Sequence, residues 1–243
     1  MTLLRSFAAN AAFYIWGAAI NLAFVPALAL PRMATVHGQT YWARGVLWLM
    51  RATAGIRFEI RGAENLPDGP VLIACKHQSA WDTMIWHVIA RDPAMVMKAE
   101  LLAIPIYGWY CRKTKMIAID REAGPSALRK MVAAAREAAG AGRPVIIFPQ
   151  GTRIAPGASA PYLPGTAALY GALSAPCVPV ALNSGKFWPR NGWTRRPGTI
   201  VLEYLPPIAP GLRRREFMAA LEERIETASA NLAAEGASSP ETA

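Results

Sequence analysis

From Ile56 onward, short apolar runs rich in β-branched residues alternate with longer stretches of helical periodicity. Residues 56–60, 71–75, 94–97, 116–119, 145–148, 178–182 and 199–204 read as strands. Residues 80–90, 126–139 and 166–173 fit helices between them, and residues 213–232 close the pattern with Phe217, Leu221, Ile225, Ala228 and Leu232 along one side. Strands that alternate with helices and are themselves almost continuously apolar require a largely parallel sheet covered on both faces. The expected fold class is therefore α/β, a largely parallel sheet flanked by helices.

The first fifty residues do not fit that rhythm. No charged residue stands between Arg5 and Arg32, and residues 7–25 would reach roughly 28 Å as a helix. Asn10, Gly17 and Asn21 lower the apolarity of this run, Pro26 and Pro31 interrupt it, and a second apolar stretch at 41–54 carries Arg44 and Arg51 seven apart. A spanning helix and a pair of helices lying in one leaflet are both compatible with that pattern. Arg5 followed by an apolar run and Ala27-Leu28-Ala29 loosely imitates a cleaved signal, but the apolar run is long for one. If the segment spans, the arginines after it put the main domain in the cytoplasm.

The expected division is residues 1–54 as a membrane-associated helical segment, 55–234 as the α/β domain, and 235–243 as a disordered polar tail. The hydrophobic share of 53% agrees with a membrane setting, and the net charge of +10 favours anionic partners. No RNA-recognition or zinc-finger pattern accompanies the charge, so nucleic acid is not expected. Cys75, Cys111 and Cys177 are odd in number and set in apolar runs, which suggests neither a disulfide framework nor a metal site.

Chemistry is suggested first by "KHQSAWDT", residues 76–83, directly after an apolar strand. His77 falls on the strand-to-helix turn, Ser79 is a candidate N-cap, and Asp82 three residues later can reach back toward the imidazole. A carboxylate that orients a neutral histidine is the base half of a serine-protease arrangement without its serine. The nucleophile would then be a substrate hydroxyl. Taken alone, the same residues are also satisfied by a plain capping box, with His77 an ordinary loop residue. His87 reads as an ordinary helix residue and His37 as a loop residue near the membrane; no spacing among the histidines and Asp82 matches a metal site.

A second cluster, "IIFPQGTR" at 146–153, ends a strand in a turn whose backbone N–H groups, with Thr152 and Arg153, suit a phosphate; a plain turn with a surface arginine is the alternative. Asp120 and Arg121 end another strand in "IAIDR", and Lys98 ends a fourth in "MVMKAEL". Ligands of α/β sheets bind at the carboxyl ends of strands, so His77, Lys98, Arg121 and Arg153 are candidates for one site. Residues 186–198, "KFWPRNGWTRRPG", interleave tryptophan with basic residues as an anionic interface would, and as a solvated basic loop also would.

These blocks together resemble the glycerolipid acyltransferase family. "HQSAWD" is similar to its HxxxxD motif, "KAELLAIPIYGW" and "IAIDR" to its lysine- and arginine-bearing segments, "FPQGTR" to its Phe-Pro-Glu-Gly-Thr-Arg motif, and "CVPVAL" to its Val-Pro-Val strand. The resemblance covers residues 71–182 with five blocks in the family's order. It implies transfer of a fatty acyl group from acyl-CoA or acyl carrier protein to the free hydroxyl of lysophosphatidic acid, with no metal and no further cofactor. His77 and Asp82 would be catalytic, and Lys98, Arg121, Gly151, Thr152 and Arg153 would hold the acceptor phosphate. Another acceptor, such as glycerol 3-phosphate, a lyso-phospholipid or a lyso-aminolipid, or a non-catalytic lipid-binding role, is the competing reading. The implied location is the inner membrane with the catalytic domain facing the cytoplasm. Gln150 departs from the family's usual glutamate, so an ionised carboxylate there is not required if this chain is active.

Overall fold

A computed structural model of the protein describes residues 2–121 and 123–235. Helices α1 (Thr2–Ala23) and α2 (Arg32–Ala54) come first, joined through a 3-10 turn at Val25–Ala29. They are followed by β1 (Ile56–Arg61), β2 (Leu72–Cys75), α3 (Trp81–Met84), α4 (Trp86–Ile89), β3 (Ala94–Lys98), α5 (Tyr107–Lys113), β4 (Ile117–Ile119) and α6 (Gly124–Gly140). The chain continues through β5 (Val145–Ile147), α7 (Pro164–Leu173), β6 (Cys177–Leu182), β7 (Gly198–Tyr204) and α8 (Arg214–Glu235). The strands form one sheet in the order β1-β7-β6-β2-β5-β3-β4.

Every neighbouring pair is parallel except β6 and β7. Because β1 is parallel to β7, both run against the other five strands. Their first residues therefore lie at the edge where β2, β3, β4, β5 and β6 end. Pro179 sits inside β6 without breaking it. On the side of β6 that faces β2, Lys76 donates to Val180; Pro179 points the other way, toward Leu205, where β7 has already ended and little donor is missed.

Strand alternation sorts the core into two layers. Ile73 and Cys75 face a cluster that includes Val46, Leu47 and Met50 of α2 and Trp81, Ile85 and Trp86. Leu72 and Ala74 face the other cluster, with Met131 of α6, Leu169 of α7, and Phe217, Leu221 and Ile225 of α8. The apolar spacing in α8 is thus the face that covers the sheet. Glu235, expected to begin the tail, is the last residue of α8 and pairs with Arg61 at 2.8 Å. The remainder of that expected tail, residues 236–243, lies outside the described residues.

α1 and α2 form an antiparallel hairpin, with Arg5 Nε donating to the Thr53 carbonyl at one end, Trp16 Nε1 to the Trp42 carbonyl midway, and the Phe24 ring beside Tyr41 at the other end. The polar Ser6 and Asn10 of α1 are buried against the protein, bonded to Arg195 and to the Trp193 carbonyl. Leu3, Leu4, Phe7, Tyr14, Ile15 and Leu22 stay exposed. By length and composition Leu3–Ala23 is apolar enough to cross a membrane. α2 has two faces, one in the core and one that exposes His37, Tyr41, Arg44, Trp48 and Arg51. His37, expected in a loop, is therefore helical, since the helix begins immediately after Pro31.

The helix expected over residues 80–90 is present as α3 and α4, with Ile85 keeping helical dihedrals between them (φ −58°, ψ −34°). α5 was not expected. It follows a tight γ-turn in which Ile106 adopts φ 65° and Tyr107 N–H donates to the Pro105 carbonyl. A Cβ on Gly108 would stand 2.1 Å from the Leu102 carbonyl oxygen, so only glycine fits there. The three cysteines are free and buried, and burial pushes their thiols up.

His87 packs inside, beside a small cavity of about 50 Å³ between α1, α2 and α5, with Nδ1 unpartnered among the described residues. Burial lowers its pKa from 6.5 to about 4. The folded state therefore keeps His87 neutral while the unfolded chain takes up a proton, and stability falls as pH drops from about 6.5 to about 4. Between pH 6.5 and 5 this term is worth about 2 kcal/mol. His87→Gln should lose less stability over that interval than the parent, as thermal melts at the two pH values will measure.

Candidate active site

β2 ends at Cys75, and the next two side chains part to opposite sides of the sheet. Lys76 is buried and pairs with Glu226 of α8, which also accepts from the Tyr162 hydroxyl. His77 points to the other side and lines a cleft of about 640 Å³. The chain then turns at Gln78 and Ser79 into α3, which carries Asp82.

Asp82 is fully buried and accepts five hydrogen bonds. Its Oδ2 takes His77 Nδ1 at 2.9 Å and the backbone N–H groups of Gln78 and Ser79 at 2.6 and 2.7 Å. Its Oδ1 takes the hydroxyls of Ser79 at 3.1 Å and Ser184 at 2.5 Å. A carboxylate has no proton to give, so Nδ1 carries the hydrogen and Nε2 keeps the lone pair. The imidazole is held on its flank by Phe148, stacked at 4.3 Å and 29°. Ser79 is not the N-cap itself, because α3 begins at Trp81 and Ala80 holds the cap position; its hydroxyl nevertheless accepts the Trp81 N–H. Capping and imidazole orientation, set against each other in the sequence, are performed by one carboxylate.

β5 ends at Ile147, and the chain turns at Gly151, whose φ is 66°. A Cβ here would meet Leu163 Cδ1 at 2.5 Å and Arg121 Nη2 at 2.8 Å. Arg121, brought in from the end of β4, donates to the Gly151 carbonyl at 2.5 Å. The N–H of Gly151 is spent on the Phe148 carbonyl, so this amide is not offered to a ligand, contrary to the sequence expectation. Among the described residues, Thr152 has no hydrogen-bond partner for its N–H or its hydroxyl. Lys98, Arg121, Gly151, Thr152 and Arg153 all line the same cleft as His77.

Arg190 lines it too and donates to the Arg153 carbonyl at 2.7 Å. In the sequence it belonged to the basic and aromatic stretch compatible with an anionic interface or a solvated loop, and only the fold brings it to the cleft. Ser184 is likewise 102 residues from Asp82 along the chain. Among the described residues no ion pair joins Lys98, Arg121, Arg153 or Arg190 to a carboxylate, although Asp120 shares the lining. The rest of the cleft is apolar, floored by Leu128 and Met131 of α6 with Val96, Leu101, Ile119 and Leu163. One histidine with a free ring nitrogen thus faces a cationic wall and an apolar floor. Among the described residues no group of three or more His, Cys, Asp or Glu is placed to hold a metal ion.

Gln150 does not line the cleft. It is buried, and its Nε2 donates to the Ala160 carbonyl at 3.4 Å, tying the turn to the segment that follows. A carboxylate at this place would face a carbonyl without a proton between them. Gln150→Glu should therefore lower stability by about 1–3 kcal/mol while leaving activity per folded molecule near the parent value. Denaturant melts alongside specific activity will measure both.

The sequence profile of the acyltransferase family matches residues 57–183, which include His77, Asp82 and the 149–153 turn. A 1-acyl-sn-glycerol-3-phosphate acyltransferase of Pseudomonas aeruginosa is 36% identical over 226 residues, 93% of this chain and 87% of the relative. The human 1-acyl-sn-glycerol-3-phosphate acyltransferase alpha is 28% identical over 209 residues, covering 83% and 74% of the two chains. Among solved structures, the crystal structure of the 1-acyl-sn-glycerophosphate (LPA) acyltransferase PlsC from Thermotoga maritima shares the fold, with a TM-score of 0.78 at 20% identity over 96% of this chain and 98% of that one. Sequence, fold and the oriented histidine converge: this chain belongs to the acyltransferase family and is an acyltransferase.

Proposed function

We propose that the enzyme transfers a fatty acyl group from a thioester donor, acyl-CoA or acyl carrier protein, to the free hydroxyl of 1-acyl-glycerol 3-phosphate, giving phosphatidic acid. The observation that carries this reading is the cleft itself, in which His77 opposes four cations that, among the described residues, form no ion pair with a carboxylate. The names of the relatives support the same acceptor.

The acceptor's phosphate is assigned to Arg153, Arg121 and Thr152, with Lys98 reaching from β3. With the phosphate held there, the acceptor hydroxyl meets Nε2 of His77. As its oxygen attacks the thioester carbonyl, the hydroxyl proton passes to Nε2, and Asp82 stabilises the imidazolium that forms. Collapse of the tetrahedral intermediate expels the thiolate, which takes the proton back from His77. No acyl-enzyme is required. The apolar floor is suited to a fatty chain and excludes water from the reacting atoms.

The N-terminal hairpin fits an enzyme whose acceptor is dissolved in a bilayer. We place residues 1–54 at the membrane and residues 55–234 as the catalytic domain on the cytoplasmic side of the inner membrane. α1 contacts α2 along its whole length, and α2 is half buried in the catalytic core while it exposes arginines and aromatics. That arrangement favours a hairpin lying in one leaflet over an isolated span. The full-length protein should sediment with membranes and resist release by salt; recovery wholly in the soluble fraction would overturn the anchor.

His77→Ala should lower turnover by roughly 10² to 10⁴ with the thermal midpoint preserved, because the ring contributes one of five bonds to Asp82. Asp82→Asn should lose both activity and stability, since an amide cannot accept from all five donors. Arg153→Ala should raise the KM for the acceptor far more than that for the donor. Assays with a panel of lyso-acceptors and thermal melts on each variant separate these effects, and near-normal transfer by folded His77→Ala would falsify the mechanism.

A further inference from the structure

A second cationic pocket lies outside the cleft. Arg5 of α1, Trp48 and Arg51 of α2, and Arg57 of β1 surround an open cavity of about 330 Å³, with only Ala52 and Gly55 completing its lining. Among the described residues none of the three arginines is paired with a carboxylate. The pocket is also organised. Arg5 Nε is fixed by the Thr53 carbonyl, and its Nη2 stands 3.4 Å from where a Cβ on Gly55 would be. Trp48 is 66% exposed.

Three guanidinium groups outweigh the partial negative charge of roughly half a unit at the end of α2, so the pocket is a net receiver of anions. A planar fork of donors matches phosphate oxygens, and a tryptophan beside it matches the headgroup region of a bilayer. Position adds to this. β1 and β7 run against the rest of the sheet, so the start of β1 lies at the edge where His77 is displayed, three strands away from β2. At the usual strand spacing that is about 14 Å. None of the residues lining this pocket lines the cleft. Leu3 and Leu4, which precede Arg5 in α1, are exposed apolar side chains.

We propose that Arg5, Arg51, Arg57 and Trp48 form a docking site for the phosphate headgroup of an anionic membrane lipid, distinct from the acceptor site. A headgroup held there sets the catalytic edge of the sheet against acidic bilayer. The proposal rests on the membrane reading given above and names the lipid chemistry that completes it.

Co-sedimentation of the full-length protein with phosphatidylcholine vesicles, and with the same vesicles containing phosphatidylglycerol, tests it. Wild type should bind the anionic vesicles more tightly. Combined Arg51→Gln and Arg57→Gln should lose roughly 25-fold of that gain, about fivefold for each arginine, and keep the parent affinity for neutral vesicles. Arg214→Gln with Arg215→Gln on α8 removes equal charge from the helix layer on the other face of the sheet and should lose far less. An equal loss in that control would mean diffuse attraction, and an unchanged gain in the pocket variant would leave the pocket without a role; either overturns the proposal. Release of wild type by inorganic phosphate, but not by chloride of the same ionic strength, would assign the pocket to a free phosphate and overturn the lipid assignment. Loss of neutral-vesicle binding by wild type, with the anionic gain still dependent on the two arginines, would sink the apolar anchor and leave this site standing.

Discussion

A carboxylate buried without partners is so costly that it would neutralise or unfold its surroundings. Asp82 is tolerated because five donors converge on it, four of them from the turn between β2 and α3 and one from Ser184 beyond β6. Each bond has a geometric consequence. The Gln78 and Ser79 amides set the turn, the Ser184 hydroxyl joins the exit of β6 to it, and the imidazole receives its tautomer. Gln78 adds to the same joint by accepting the Gly185 N–H at 3.0 Å. The charge therefore organises a fold junction and the proposed catalytic base together, and substitutions at Asp82 cannot separate the two roles as cleanly as substitutions at His77.

The cations across the cleft follow a different logic. Lys98, Arg121, Arg153 and Arg190 come from four separate segments, and like charges at close range repel. Part of that strain is absorbed by carbonyls, Gly151 for Arg121 and Arg153 for Arg190. Carbonyls orient guanidinium groups without cancelling their charge. Under the proposed function the wall serves the acceptor phosphate, a gain in binding obtained at some expense of stability.

Most of the fold was legible because its strands are buried on both faces, and nearly continuous apolar runs identify such strands directly. The opposite sense of β1 and β7 was not legible, since strand direction is decided by connections rather than by composition. α5 escaped notice because "IPIYGWY" carries proline, glycine and β-branched residues, and its start depends on the γ-turn at Ile106. At the site, the local pair was readable: five positions across a strand-to-helix turn is a distance that geometry can test. Ser184 and Arg190 were not, because their contacts exist only once β6 lies beside β2. The use of the Gly151 N–H inside its own turn was equally hidden.

The reversal of β1 and β7 carries a functional consequence. Had β1 run with β2, the junction between α2 and β1 would lie at the opposite edge, and the exposed hairpin would be separated from His77 by the length of the sheet. Instead Ala54 leads into Ile56 at the catalytic edge, and the basic loop between β6 and β7 crosses the same edge, bonded on one side to Ser6 and Asn10 of α1 and on the other to Arg153. Helix hairpin, loop and cleft thus form one continuous rim. Under the proposed function, a lyso-lipid acceptor would present its phosphate and hydroxyl at that rim while its acyl chain stays in the leaflet proposed to hold the hairpin, so the substrate would not have to be extracted from the membrane to be acylated.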